Sequence, residues 1–114
     1  MSESSGVFSF PSTGLYLVRF NIYGAAIDND NILGAIHVTT DNSTYNSVAS
    51  CTFSGDGSGI GNGSGMTETF VNVTNTSTHK VKFESISISS GSSIDGSTTT
   101  NVTFMTFIKL GDSQ

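Results

Sequence analysis

The residues of this chain that could do chemistry stand in four places. Asp28, Asn29, Asp30 and Asn31 could offer oxygen ligands to calcium, and their spacing begins like an EF-hand loop. The glycine and distal glutamate of that loop are missing, so a polar turn is the better reading. GDGSGIGNGSG, residues 55–65, has the glycine content of a phosphate cradle. It ends in neither the Lys-Ser nor the Lys-Thr of a P-loop and opens no helix, and its near-repeat reads as a flexible excursion between strands. Asp56, Ile60 and Asn62 are expected on that exposed loop. His37, inside GAIHVTT, and His79 have no second His, Cys or carboxylate at ligand or triad spacing. Cys51 is the only cysteine, which excludes an intrachain disulfide. Its alternating position in VASCTF makes it a small apolar strand residue rather than a nucleophile. The chain therefore reads as a non-enzyme, with no catalytic residue, no cofactor and no metal.

Composition narrows the partners. Only 11% of the 114 residues are charged, the net charge is −5, and Arg19, Lys80, Lys82 and Lys109 are the only fixed cations. Neutralising phosphates takes a basic cluster, so nucleic acid is not an expected partner, and neither is an anionic membrane surface. No apolar run approaches the roughly 18 residues that a spanning helix needs. MSESSGVF has neither the basic region nor the long apolar stretch of a signal peptide. Asn-x-Ser/Thr at Asn42, Asn62, Asn72, Asn75 and Asn101 is expected by chance in a chain so rich in Asn, Ser and Thr.

What must position these residues is sheet. Beta-branched and aromatic residues dominate, no window has helical periodicity, and clusters of Gly, Asn, Asp and Ser punctuate the chain. The expected strands are 6–10, 15–23, 33–40, 45–54, 67–74, 79–88 and 101–110, in a single all-β sandwich domain spanning residues 1–114. Tyr16, Val18, Phe20 and Ile22 read as the core face of the second strand, with Leu15, Leu17, Arg19 and Asn21 opposite. Phe8 is expected in the same core. In VTFMTFIKL, Phe104 and Ile108 are assigned to the core, and Met105, Phe107 and Lys109 to the other side. The inward side of HKVKFESISI switches from Val81 and Phe83 to Ile86 and Ile88, which suggests a bulge near Ser85. Two strands with apolar groups on both faces, in so small a domain, point to a buried subunit interface.

The opening stretch GVFSFPSTGLYLVRFNI resembles the Gly-x-Phe-x-x-Pro-x-x-Gly-x-Tyr segment of the C1q and tumour-necrosis-factor-like jelly rolls, through Gly6, Phe8, Pro11, Gly14 and Tyr16. The closing run TNVTFMTFIKLGD looks like that superfamily's last strand. The Gly-, Ser- and Asn-rich flavour is closest to C1q-like domains of bacteriophage virion proteins. The resemblance implies an antiparallel jelly-roll sandwich and a homotrimer, with the positions of Leu17 and Arg19 facing a threefold axis. Leu15, Met105 and Phe107 would complete the trimer interface; the alternative is a monomer whose second sheet covers these residues. Two departures stand out. The family has one or two strands before the motif, whereas this chain starts almost on top of it, so the fold is trimmed or a neighbouring chain covers the edge. Thr76, Ser77, Thr78 and His79 also replace a common Gly-Asp turn.

Two functions follow from the resemblance. One is a trimeric decoration, or cement, protein on a phage capsid, made in the host cytoplasm and partnered by the major capsid protein or another virion protein. The other is the receptor- or glycan-binding head of a tail fibre or C1q-like recognition module. A reading frame starting at Met1 without a repetitive shaft favours the first. The amino-terminal edge near residues 6–10 would then meet the neighbour or shell, with the Gly-rich loops turned to solvent.

Overall fold

Alternating apolar residues build nine strands in the computed structural model, which describes residues 1–114. They are β1 (Ser2–Ser4), β2 (Val7–Ser9), β3 (Gly14–Ile27), β4 (Asn31–Thr39), β5 (Asn46–Ser54), β6 (Ile60–Val73), β7 (Lys80–Ile86), β8 (Ser93–Ile94) and β9 (Phe104–Gly111). All pairings are antiparallel and there is no helix. The larger sheet runs β1-β2-β7-β4-β5; in the smaller one β3 is central, with β6 on one side and β8 and β9 on the other. The two sheets close on one core of Phe10, Tyr16, Val18, Phe20, Ile22, Ala26, Ile32, Ile36, Phe53, Val71, Val73 and Val81. Tyr16, Val18, Phe20 and Ile22 thus point inward, as their period-2 spacing dictates. Phe8 packs half-buried against that core.

Four expectations are corrected. The strand expected at 67–74 starts at Ile60, so most of the supposed loop 55–65 is sheet. β6 pairs with β3 without a break from Gly14↔Val73 to Ile27↔Ile60, and only residues 55–59 turn. Ile60 and Asn62 are exposed, but they sit on this strand; Asp56 alone of the three lies in the turn. The glycines that suggested flexibility serve packing instead. A Cβ on Gly63 would run into the ring of Phe53, so only glycine lets β5 lie against β6.

β7 has no bulge at Ser85: it pairs evenly with β4 from Leu33↔Ile86 to Thr39↔Lys80. The strand simply ends, and Ser87 turns the chain with φ 64°. Ile86 and Ile88 are therefore exposed rather than inward.

The faces of β9 are the reverse of those expected. Opposed residues of an antiparallel pair point to the same side. Phe20↔Met105, Val18↔Phe107 and Tyr16↔Lys109 put Met105 and Phe107 on the core side. Leu17↔Ile108 and Asn21↔Phe104 put Ile108 and Phe104 on the outside, Ile108 exposed and Phe104 half-buried. VTFMTFIKL is apolar on both sides, so its alternation could not choose. Its register against β3 does. The amino terminus differs too: residues 2–4 fold back as β1 across Val7–Ser9, through a turn at Ser5 and Gly6 with φ 53° and 76°. Residues 6–10 are thus not an open edge.

Candidate functional site

The outer face of the smaller sheet is built from alternate residues of β6, β3 and β9 lying in rows. Phe70, Leu17 and Ile108 form one row across the three strands; Glu68, Arg19 and Thr106 form the next; Met66, Asn21 and Phe104 follow. Phe70 is 66% exposed, Met66 56% and Ile108 45%. Leu15 and Leu17 are half-buried among their neighbours, and the second sheet packs on the opposite side of β3. The second sheet therefore does not cover Leu15 and Leu17.

One ion pair crosses the apolar rows. Arg19 donates from Nε and from one terminal nitrogen to Glu68 Oε2, at 3.0 and 2.8 Å. Asn21 donates to the carbonyl of Val102 at 2.6 Å, fixing the approach to β9. The most exposed apolar member, Phe70, escaped sequence reading. The signal was there in MTETFVNV, where Val71 and Val73 claim the core and so force Met66, Glu68 and Phe70 outward.

Of the residues expected to share an interface, Leu15, Leu17 and Arg19 lie on this face. Phe107 does not. It joins a ring cluster between the sheets, with centroids 5.4 Å from Phe8, 5.7 Å from Phe83 and 6.3 Å from Phe10. Met105 is on the same inward side but 40% exposed, because no strand lies beyond β9 to cover it.

The candidate ligand groups have local partners. Asp30 ties the β3–β4 turn to residues 89–92: the Ser92 hydroxyl, the Ser89 amide and hydroxyl, and the Asn31 amide hold its carboxyl down at about 2. Asp28 accepts from Gly59 N–H at 3.2 Å. Asp41 is held well below the usual carboxylate range by the Thr44 amide, the Thr39 hydroxyl and the Ser43 amide. No three His, Cys, Asp or Glu side chains converge. Cys51 packs against the core beside Gly34 and Gly65, and burial pushes its thiol up. His79 is buried with Nδ1 3.0 Å from the Asn75 carbonyl oxygen.

A hollow of about 480 Å³ lies on the other side of the molecule, over the larger sheet. Ser5, Gly6, His37, Tyr45, Lys82 and Glu84 line it. Lys82 Nζ sits 4.0 Å from the centre of the Tyr45 ring, a cation–π contact. His37 Nε2 is 3.1 Å from Glu84 Oε2, close in distance but not aligned for a hydrogen bond.

No family model and no curated protein sequence matches the chain. Among solved structures, it is similar to the Eiger TNF from S. frugiperda, with a TM-score of 0.64 and 19% identity over 90% of this chain. The chain spans 62% of that structure's length. With its two antiparallel sheets, this likeness makes the fold a jelly-roll sandwich of the C1q/TNF-like type.

Proposed function

We propose that the chain is a structural virion protein, a homotrimeric decoration protein on a bacteriophage capsid. The observation that carries the trimer is the apolar outer face of β6, β3 and β9. Phe70, Leu17 and Ile108 stand side by side in the middle of a sheet with nothing packed on them. Exposed apolar patches of this kind mark association surfaces, and burying one Leu side chain contributes about 1.5–3 kcal/mol. Three copies of the face around an axis would also enclose the Arg19–Glu68 pair, leaving it partnered. The placement on a phage particle rests on the resemblance of the opening motif and on the polar, sparsely charged surface. No enzymatic role is proposed.

Light scattering on the purified protein tests the trimer, and mass spectrometry of purified virions tests the location. A monomer at micromolar concentration, or absence from virions, overturns the corresponding half. The hollow over the larger sheet favours a second reading, a receptor- or glycan-binding head, because Tyr45, Lys82, His37 and Glu84 combine an aromatic ring with charges of both signs. Labelling at a fibre tip would support that reading over the first.

A further inference from the structure

The sandwich has two seams, and they are closed differently. Along one, β5 packs against β6, with Phe53 over Gly63 and Cys51 beside Gly65. Along the other, β9 meets the larger sheet through a ring cluster of Phe107 with Phe8, Phe10 and Phe83, three of the four half-buried. β9 is hydrogen-bonded to β3 alone. Of the backbone hydrogen bonds made outside the strands, none involves residues 104–111, and no side chain bonds to their backbone. Alternate N–H and C=O groups along these eight residues are therefore open, with Met105 exposed on the inner flank and Ile108 on the outer flank.

From this geometry we infer that the free edge of β9 takes up an extended segment of another polypeptide by strand addition. Main-chain hydrogen bonds would give the affinity and alternate side chains the specificity. The flanks define the occupant: residues on one side of the incoming strand cover Met105 and the ring cluster, and those on the other extend the apolar outer face. An alternating apolar segment of about five to eight residues fits. A second copy of this chain has no free segment to insert, and edge-to-edge pairing of two β9 strands is the competing outcome that the test separates. Every alternating apolar segment is already in a sheet, and the longer connections (residues 40–45, 55–59, 74–79, 87–92 and 95–103) are dominated by Ser, Thr, Gly, Asn and Asp. The other open edges are poorer acceptors, since β1 is the polar Ser-Glu-Ser, β5 and β6 crowd each other, and β8 has only two residues. The inference stands apart from the trimer and from any virion role.

The test uses the full chain and a synthetic peptide with the sequence of Leu15–Ile22, capped at both ends and flanked by lysines for solubility. That sequence already presents Tyr, Val, Phe and Ile to one side and Leu, Leu and Arg to the other, against the paired edge of β9. Binding should protect amides within 104–111 from hydrogen exchange and leave those of β1 and β6 unchanged. A peptide N-methylated at alternate residues keeps its side chains but loses one edge of donors. One of the two alternate-methylated forms should bind at least about tenfold more weakly than the other, since the backbone carries the affinity. Met105→Lys, at a site already exposed, should weaken binding while the protein keeps its melting temperature. Protection that appears at β6 or β1, equal binding of both methylated forms, or no protection at any soluble peptide concentration overturns the proposal. So does protection of 104–111 in the protein alone as its concentration rises, because a second copy would then be the occupant.

Discussion

The two outer faces of this sandwich are made by the same rule and come out opposite. On the larger sheet, alternate residues of β7, β4 and β5 bring out Lys80, Lys82, Glu84, His37, Ser47, Ser50 and Thr52, with Leu33 and Ile86 as one apolar pair and Ala35 and Thr39 buried among them. On the smaller sheet, the same alternation brings out Leu15, Leu17, Phe70, Met66, Phe104 and Ile108, with one ion pair among them. Both sheets bury their inner faces in one core, so folding the monomer does not require the difference. An apolar outer face contributes nothing to the isolated chain's stability and exposes it to aggregation. Its concentration on one side is what the proposed trimer would use.

The sharpest way to break the comparison is to place a charge on each face. Leu17→Asp should convert trimers to monomers or insoluble protein, whereas Ser50→Asp on the larger sheet should leave the mass unchanged; light scattering reads both. If the two variants behave alike, the faces are equivalent and the trimer reading fails. The ion pair gives a second, smaller effect. If the smaller sheet is covered, Glu68→Ala strands Arg19 in a buried setting and should cost about 3–5 kcal/mol, partly recovered in the Arg19→Ala/Glu68→Ala double variant. On an open face the same change costs about 0–1 kcal/mol. Chemical denaturation of the three variants distinguishes these outcomes.

Asp30 lies on neither face and should respond to pH alone. Its folded value of about 2 is below the ordinary 3.8, so its contribution is complete above that ordinary value and disappears as pH falls through about 2. Asp30→Asn should thus lower the melting temperature at neutral pH, and the gap to wild type should close through that acid window. A gap that persists at the lowest pH would mean that the change acts through something other than the carboxylate. The smallest effect is expected in the turn at residues 55–59. Replacing it with a short Gly-Ser turn should cost under about 1 kcal/mol, because closure entropy varies slowly with length. Removing 60–65 should cost far more, since it deletes the pairs from Ile22↔Gly65 to Ile27↔Ile60. Equal melting temperatures for the two deletions would show that the glycine-rich half of β6 adds little to the sheet.

The core stripe of β3 was legible because Tyr16, Val18, Phe20 and Ile22 alternate for four repeats beside residues of mixed polarity. The all-β class was legible from the turn clusters. β6 was misread at its start because glycine and serine carry no face signal: Gly61, Gly63 and Gly65 look like a loop until Phe53 and Cys51 are packed over two of them. β9 was misread for the converse reason, since Phe104, Met105, Phe107 and Ile108 are apolar on both sides and period 2 has no preferred phase there.

By itself the sequence determined the class of fold, the inward face of the central strand, and the existence of an apolar surplus that one sandwich could not bury. Those are properties of local alternation, and alternation is a feature of a single strand. Which apolar residues stay outside was decided only when β9 and β6 took their registers against β3. That step put Phe70, Leu17 and Ile108 in one outward row and sent Phe107 into the ring cluster. The open edge of β9 likewise has no sequence signature. It exists because β9 finds a partner on one side and none on the other, and a hydrogen-bonding edge is left over by neighbours rather than specified by the strand that carries it.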